Sequence, residues 1–330
     1  MKISKLFKSL SSKLTKFRSK LSCSSSFEKN DFKSKYTLGK VLGKGTFGSI
    51  VEATQRHSHN TVAVKFIKKK NVESFAELNN QLLPAEALFL NHIDHPNVIS
   101  LTDLFQFNSK FALVLERPLA SLDLGEFIHQ YGPQNSLVSS HIANQLISVY
   151  AFLHSSLIFH RDTKSENILI NYYNYQIKII DFGSSCWIDR EDFSGSFGTP
   201  AFSPPEWLIG SHYQPEPTTM WAIGVVMFEV ISGSLPFSTE HHVLKGTLTF
   251  PDHVSPIAKD FLRSILQLEP SDRPTYSEIS SHIFLDQDLP DDNDRVLDTS
   301  TYSKCSSYTI MENPNAELAR ECDDFPSIFI

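Results

Sequence analysis

The sequence predicts an α+β fold on three observations. From Tyr36 to Ala53 short apolar runs alternate with glycine, as a strand, a turn and a second strand would. Val62-Ala63-Val64-Lys65 reads as a further apolar strand. Pro84 can then open a helix at its first position, with Ala85-Glu86-Ala87-Leu88-Phe89-Leu90 turning apolar side chains toward a core. At 330 residues, with 41% apolar and 12% aromatic content, the chain can hold one large two-lobed domain or two ordinary ones.

Charge and composition divide the chain. The net charge of −7 conceals a basic, Ser/Lys-rich segment over residues 1–35 and an acidic, Asp/Asn/Ser/Pro-rich one over 286–330. Both compositions predict poorly packed extensions flanking one folded unit over 36–285. Ile3, Leu6, Phe7, Leu10, Leu14, Phe17 and Leu21 share one stripe at helical period, with lysines around the remainder. Peripheral contact of residues 1–21 with an anionic membrane, a disordered Lys/Ser-rich tail and a mitochondrial presequence are the readings open for it. No run of eighteen apolar residues occurs, and the longest, Met220 to Ile231, is interrupted by Glu229, which argues against a spanning helix. The scattered Cys23, Cys186, Cys305 and Cys322 form no Cys-x-x-Cys pair and no secretory h-region is evident. The expectation is a reducing, cytoplasmic setting, with nucleus and membrane surface as further locations, for a monomer without a nucleic-acid partner.

Within the first hairpin, Leu42-Gly43-Lys44-Gly45-Thr46-Phe47-Gly48-Ser49-Ile50-Val51 carries a G-x-G-x-x-G. Dinucleotide-binding folds use the same string, but there a helix must follow, whereas Ser49-Ile50-Val51 continues as a strand. The loop therefore reads as a flap whose backbone N–H groups approach phosphates. Ala63 and Lys65 follow on the next strand, Lys65 fourteen residues after Val51 and placed to bridge two phosphates. An isolated lysine there would simply point to water. An opposing carboxylate is needed, for which Glu86 is the first choice and Glu77 the second.

Ile158-Phe159-His160-Arg161-Asp162-Thr163-Lys164-Ser165-Glu166-Asn167-Ile168-Leu169-Ile170 is a polar loop between apolar segments. Asp162 is the candidate to accept or orient a hydroxyl proton, and Lys164 to steady phosphoryl charge. Asn167 offers a neutral amide oxygen to Mg²⁺, and Asp181, after Ile177-Lys178-Ile179-Ile180, a charged one. With Phe182-Gly183 and the later Pro204-Pro205-Glu206, these strings place the parts for moving a phosphoryl group from ATP to a hydroxyl in one stretch.

From about Tyr36 to Leu285 these residues resemble the eukaryotic protein kinase domain. The resemblance implies a bilobal α+β fold, a small β-rich N-lobe over 36–117 and a larger helical C-lobe over 118–285, with ATP between them. Lys164 and Gly198-Thr199-Pro200 resemble the serine/threonine class, and Glu206 would pair with Arg273. Within that class, Glu116-Arg117-Pro118, Ser203-Pro204-Pro205-Glu206-Trp207 and Pro270-Ser271-Asp272-Arg273-Pro274-Thr275 are similar to the PIM kinases. Pro118 lacks an N–H, so adenine is expected to take one hydrogen bond from this segment, to the Glu116 carbonyl.

The PIM resemblance also implies protein substrates with basic residues upstream of the acceptor. Asp123, Glu126, Glu166 and Glu229, with Thr199, are the candidate substrate-binding residues. The chain departs from that family at Thr163 and Ser165, which stand where apolar and acidic residues are common, the second weakening selection of one substrate arginine, whereas Thr219, where most kinases carry an aspartate, is a further likeness to it. Phe193-Ser194-Gly195-Ser196-Phe197 lacks the acids of PIM activation segments, which makes Ser194 and Ser196 candidate phosphosites facing Arg161. A pseudokinase scaffold is the alternative from another class.

Overall fold

The computed structural model describes residues 29–45, 48–78, 81–189, 192–195, 198–210 and 212–287. Thr46, Phe47, Ser196, the apolar stripe over 3–21 and the acidic segment after residue 287 lie outside the described residues.

A short helix, α1 (Lys29–Lys35), leads into β1 (Tyr36–Gly45), β2 (Gly48–Gln55) and β3 (Thr61–Lys68). A hairpin of β4 (Phe75–Leu78) and β5 (Gln81–Pro84) precedes α2 (Ala85–His92), and β6 (Leu101–Gln106) and β7 (Lys110–Glu116) complete the lobe. The main sheet is antiparallel in the order β1-β2-β3-β7-β6. Pro84 caps α2 rather than opening it, its ring excluding a helical N–H while Ala85 takes the first turn.

Strand alternation decides which side chains reach the cleft. In β3, Val62, Val64 and Phe66 pack on the outer face with Val51, Ala53, Phe105, Ala112 and Val114, so Ala63, Lys65 and Ile67 turn inward. That outer face is covered by α1. Phe32 is 1% exposed, with ring centroids 5.1 Å from Phe105, 5.5 Å from Tyr36 and 6.2 Å from Phe66. The expectation of a poorly packed segment up to residue 35 is thus corrected over Lys29–Lys35. One aromatic in a polar stretch leaves no periodicity to read, yet it buries enough apolar area to hold a two-turn helix on the sheet.

The larger lobe begins with β8 (Ser121–Asp123), α3 (Leu124–Tyr131) and α4 (Ser136–Ser155). Next come β9 (Ile158–Phe159), β10 (Ile168–Asn171), β11 (Ile177–Ile179) and β12 (Cys186–Trp187), paired β11-β10-β8 and β12-β9. α5 (Pro205–Leu208), α6 (Pro215–Ser232), α7 (Glu240–Lys245), α8 (Pro256–Ile265) and α9 (Tyr276–Ile279) complete it. The apolar run from Met220 belongs to α6, which is buried on nearly every side, and Gly233 ends that helix at a φ of 82°. Among the described residues no helix is long and apolar enough to cross a membrane. The two-lobed arrangement agrees with the fold expected from the resemblance.

Candidate active site

The inward face of β3 delivers Lys65 to a closed ion cluster. Its Nζ lies 2.7 and 2.9 Å from the two oxygens of Glu86, in the first turn of α2, and 2.8 Å from Asp181 Oδ1. Lys65 and Glu86 are about 5% exposed, whereas Glu77 stands exposed on β4. Burial works to lower the Lys65 pKa, but the carboxylates of Glu86 and Asp181 more than offset it and hold the ammonium above its ordinary value. Burial likewise works to raise Asp181, and the Lys65 charge and hydrogen bond leave it below the usual aspartate value. Asp181 adopts a φ of 61°, uncommon for a non-glycine residue, while its Oδ1 also accepts the Gly183 N–H at 3.2 Å. Phe182 is fully buried against the His160 ring, and the His160 Nε2 lies 3.1 Å from the Ile180 carbonyl. Burial lowers the pKa of His160, which favours a neutral, structural imidazole.

Asp162 occupies the centre of a second network. Its Oδ2 lies 2.9 Å from Lys164 Nζ and accepts Asn167 Nδ2 at 2.8 Å, while its Oδ1 accepts the Thr199 hydroxyl at 3.0 Å. Thr199 Oγ1 in turn accepts Lys164 Nζ at 2.8 Å. Gly198 makes this approach possible. At its φ of 89°, a Cβ would lie 2.5 Å from the Arg161 carbonyl oxygen. Asn167 Nδ2 also donates to the Asp162 carbonyl at 2.8 Å, so both amide protons are used and Oδ1 is its remaining donor atom toward a cation.

Asp181 and Asn167 therefore offer a carboxylate and an amide oxygen, a hard donor pair that fits Mg²⁺ with phosphate and water oxygens completing its shell. Among the described residues no group of three or more His, Cys, Asp or Glu side chains is arranged to hold a metal.

Above the cleft, β1 and β2 form the glycine hairpin, with Gly43 opposite Ile50, Lys44 opposite Ser49 and Gly45 opposite Gly48. Gly48 is required by packing, since a Cβ there would fall 1.7 Å from the Phe66 carbonyl oxygen. Ile50 pairs with Lys65 and Val51 with Val64, next to Ala63, while Leu42 is exposed on β1. Glu116 ends β7, and Pro118 follows two residues later.

The four acidic candidates share one electrostatic neighbourhood. Asp123 caps α3, accepting the Glu126 N–H at 2.8 Å, and burial with the Asp123 charge pushes the Glu126 carboxyl up. Burial also raises Glu229. The Ser165 hydroxyl eases that shift, and the charges of Glu166 and Asp123 add to it. Glu229 Oε2 is buried with no hydrogen-bond partner among the described residues. The role of Ser165 between Glu166 and Glu229 was missed from the sequence, where its only signal was the departure from an acidic residue.

Thr219 bonds the Pro215 carbonyl of its own helix at 2.7 Å, and with Thr163 it lines a cavity beneath the Asp162 loop. Ser194 is exposed beside the buried Phe193, which pairs with Tyr213. Arg161 donates through Nε to the Ser184 carbonyl. Glu206 and Arg273 form a bidentate pair at 2.7 Å for both bonds.

The family described as "Protein kinase domain" matches residues 36–285. The chain is 29% identical over 277 residues to serine/threonine-protein kinase pim-2 of Danio rerio, covering 81% of this chain and 89% of that one. It is 31% identical to serine/threonine-protein kinase prk-2 of Caenorhabditis elegans, covering 78% of this chain and 59% of the relative. The PAS domain-containing serine/threonine-protein kinase of Mus musculus is 33% identical over 74% of this chain, a match that spans only 18% of that protein. A domain of this kind works with ATP and a divalent metal. With its matched domain spanning both lobes and its relatives named as serine/threonine kinases, the chain belongs to the protein kinase family.

Proposed function

We propose that this chain is an active, Mg·ATP-dependent serine/threonine protein kinase that favours basic residues upstream of the acceptor hydroxyl. The observation that carries the reading is the closed Lys65–Glu86–Asp181 cluster beside an intact Asp162–Lys164–Asn167–Thr199 network. Lys65, held by Glu86, engages the α- and β-phosphates, and the hairpin backbone at residues 43–45 and 48 approaches them. The Glu116 carbonyl accepts the adenine amino group, with Leu42, Ile50 and Ala63 as apolar neighbours; Val51, expected beside the nucleotide, is instead packed on the outer face of the sheet, because it pairs with Val64 and not with Lys65. Asp181 and Asn167 hold the cation, which when bound neutralises phosphate charge. Asp162 orients the substrate hydroxyl and receives its proton, while Lys164 offsets charge on the transferred group.

Transfer of labelled γ-phosphate to a serine peptide tests this directly. The expected result is Mg²⁺-dependent labelling, abolished by EDTA, and faster for a peptide with arginines upstream than for its alanine counterpart. No labelling above the enzyme-free blank would make the chain a scaffold. Equal rates on both peptides would remove the basic preference.

Glu229 ties that preference to stability. Its carboxyl is harder to ionise folded than unfolded, so its stabilising contribution is complete below the unfolded value, about 4.3, and is lost as pH rises through the raised folded value. The ionised carboxylate is a cost to folding retained for substrate. Glu229→Gln is expected to raise Tm by about 1–3 °C at pH 7. It should also raise the KM for the arginine peptide about tenfold, the equivalent of roughly 1.4 kcal/mol, leaving the alanine peptide unaffected. A lowered Tm with unchanged KM contradicts this.

Ser194, exposed in a segment without acids, and Ser196 are proposed as sites where phosphate supplies charge for Arg161. Phosphatase treatment is expected to lower the rate, and full retention of activity would exclude the regulation.

A further inference from the structure

The segment joining the lobes is held by side chains that phosphoryl transfer does not use. Glu116 Oε1, at the end of β7, accepts the Ser100 N–H at 2.7 Å and Lys178 Nζ at 2.8 Å. Lys178 Nζ also donates to the Pro96 carbonyl at 2.8 Å. The next residue is tied the other way, with Arg117 NH2 2.9 Å from Glu52 Oε2 on β2. Two consecutive residues are thus anchored to opposite lobes, and Pro118, without an N–H, follows them.

Lys178 is well placed to transmit position. It lies in the middle of β11, between the fully buried Ile177 and Ile179, with strand alternation sending its side chain to the opposite face. The backbone of residues 97–99 is sewn to the same strand, with Ile179 N–H donating to Asn97 O at 2.8 Å and Ile99 N–H to Ile179 O at 3.0 Å. Asp181 follows Lys178 by three residues. A shift of Glu116 therefore moves against a strand that ends two residues before the candidate metal ligand.

We propose that Lys178 and Glu116, balanced by Arg117 and Glu52, form a clamp that sets the adenine acceptor in register with Asp181, making Lys178 a positioning residue for ATP. The inference rests on the kinase reading above. With one adenine hydrogen bond available from this segment, a displaced Glu116 carbonyl has no second bond to compensate. Both ion pairs are partly exposed, with side chains 24–30% accessible, so their effect on global stability is small and their effect on ligand geometry is the quantity to read.

The test uses the full chain carrying Lys178→Met, Glu116→Gln or both, comparing ATP KM, kcat, Tm and nucleotide affinity by fluorescence titration. Glu116→Gln keeps an acceptor for the Ser100 N–H while removing the charge. Each single variant is expected to raise ATP KM about fivefold with kcat changed less than about twofold, and the double variant to be no worse than either single. Lys178→Arg, which keeps the charge, is expected to stay near wild type and serves if Lys178→Met fails to fold. Unchanged ATP KM in both singles, a lowered Tm with unchanged KM, or strictly multiplicative effects would overturn the clamp. A wild-type chain that neither binds ATP nor labels peptide would overturn the kinase reading and the clamp with it, whereas an active wild type with indifferent variants sinks the clamp alone.

Discussion

Replacing Asp162 by asparagine is expected to lower kcat for peptide phosphorylation about a thousandfold, with ATP KM within about threefold of wild type. The geometry makes this more than the loss of a base. The carboxylate accepts from three donors at once: Lys164 and Asn167 on one oxygen and Thr199 on the other. An asparagine has one acceptor oxygen, so its NH₂ either faces the Lys164 and Asn167 donors or turns to Thr199, whose hydroxyl must then stop donating. The side chain would lose proton affinity and orientation together. ATP contacts are largely spared because no bond joins Asp162 to Lys65 and Asn167 keeps its bond to the backbone carbonyl of residue 162. Steady-state kinetics at saturating peptide measures both quantities, and a residual kcat above about a tenth of wild type would remove Asp162 from the proton-accepting role.

The largest stability effect is expected at Arg273. All five of its N–H groups are engaged: two with Glu206, and one each with the carbonyls of Pro217, Leu268 and Gln267. Its guanidinium also stacks 5.0 Å from the Trp221 ring centroid. Arg273→Met would leave a carboxylate and three carbonyls behind in a site where Glu206 is 5% exposed. The expected cost is about 3–5 kcal/mol, because breaking a buried pair strands the other charge. For a domain of this size that corresponds to a fall in Tm of about 10 °C. Adding Glu206→Leu should recover part of the loss by removing the stranded charge. A Tm within about 2 °C of wild type for Arg273→Met would show that the pair contributes little.

Much of the site was legible because its chemistry is local in sequence. His160 to Asn167 and Asp181 to Gly183 are contiguous strings, since a loop braced between two strands keeps its reactive groups within a few residues of each other. The spacing of Lys65 after the glycine flap marked it as a phosphate ligand, and the apolar neighbours of Glu86 distinguished it from the exposed Glu77. Pairings between distant segments left no such trace. Glu116 and Lys178 are 62 residues apart, and nothing in either neighbourhood names the other. The bond of Thr199 to Asp162, across 37 residues, likewise depends on how the activation segment folds back. A lysine alternating with buried isoleucines in β11 was the one legible hint of the former. Ser165 showed the limit of reading by departure, since its meaning appears only beside the half-buried Glu229.

The helix that carries Phe32 changes where a working fragment of this protein begins. A fragment starting at Tyr36, the first residue of the family match, would uncover Phe66, Phe105 and Phe107, each of which packs on the Phe32 ring at the outer sheet face. Bare rings at the edge of a small lobe invite self-association in solution. Recombinant work should therefore retain the seven residues from Lys29, even where the rest of the basic leader is removed.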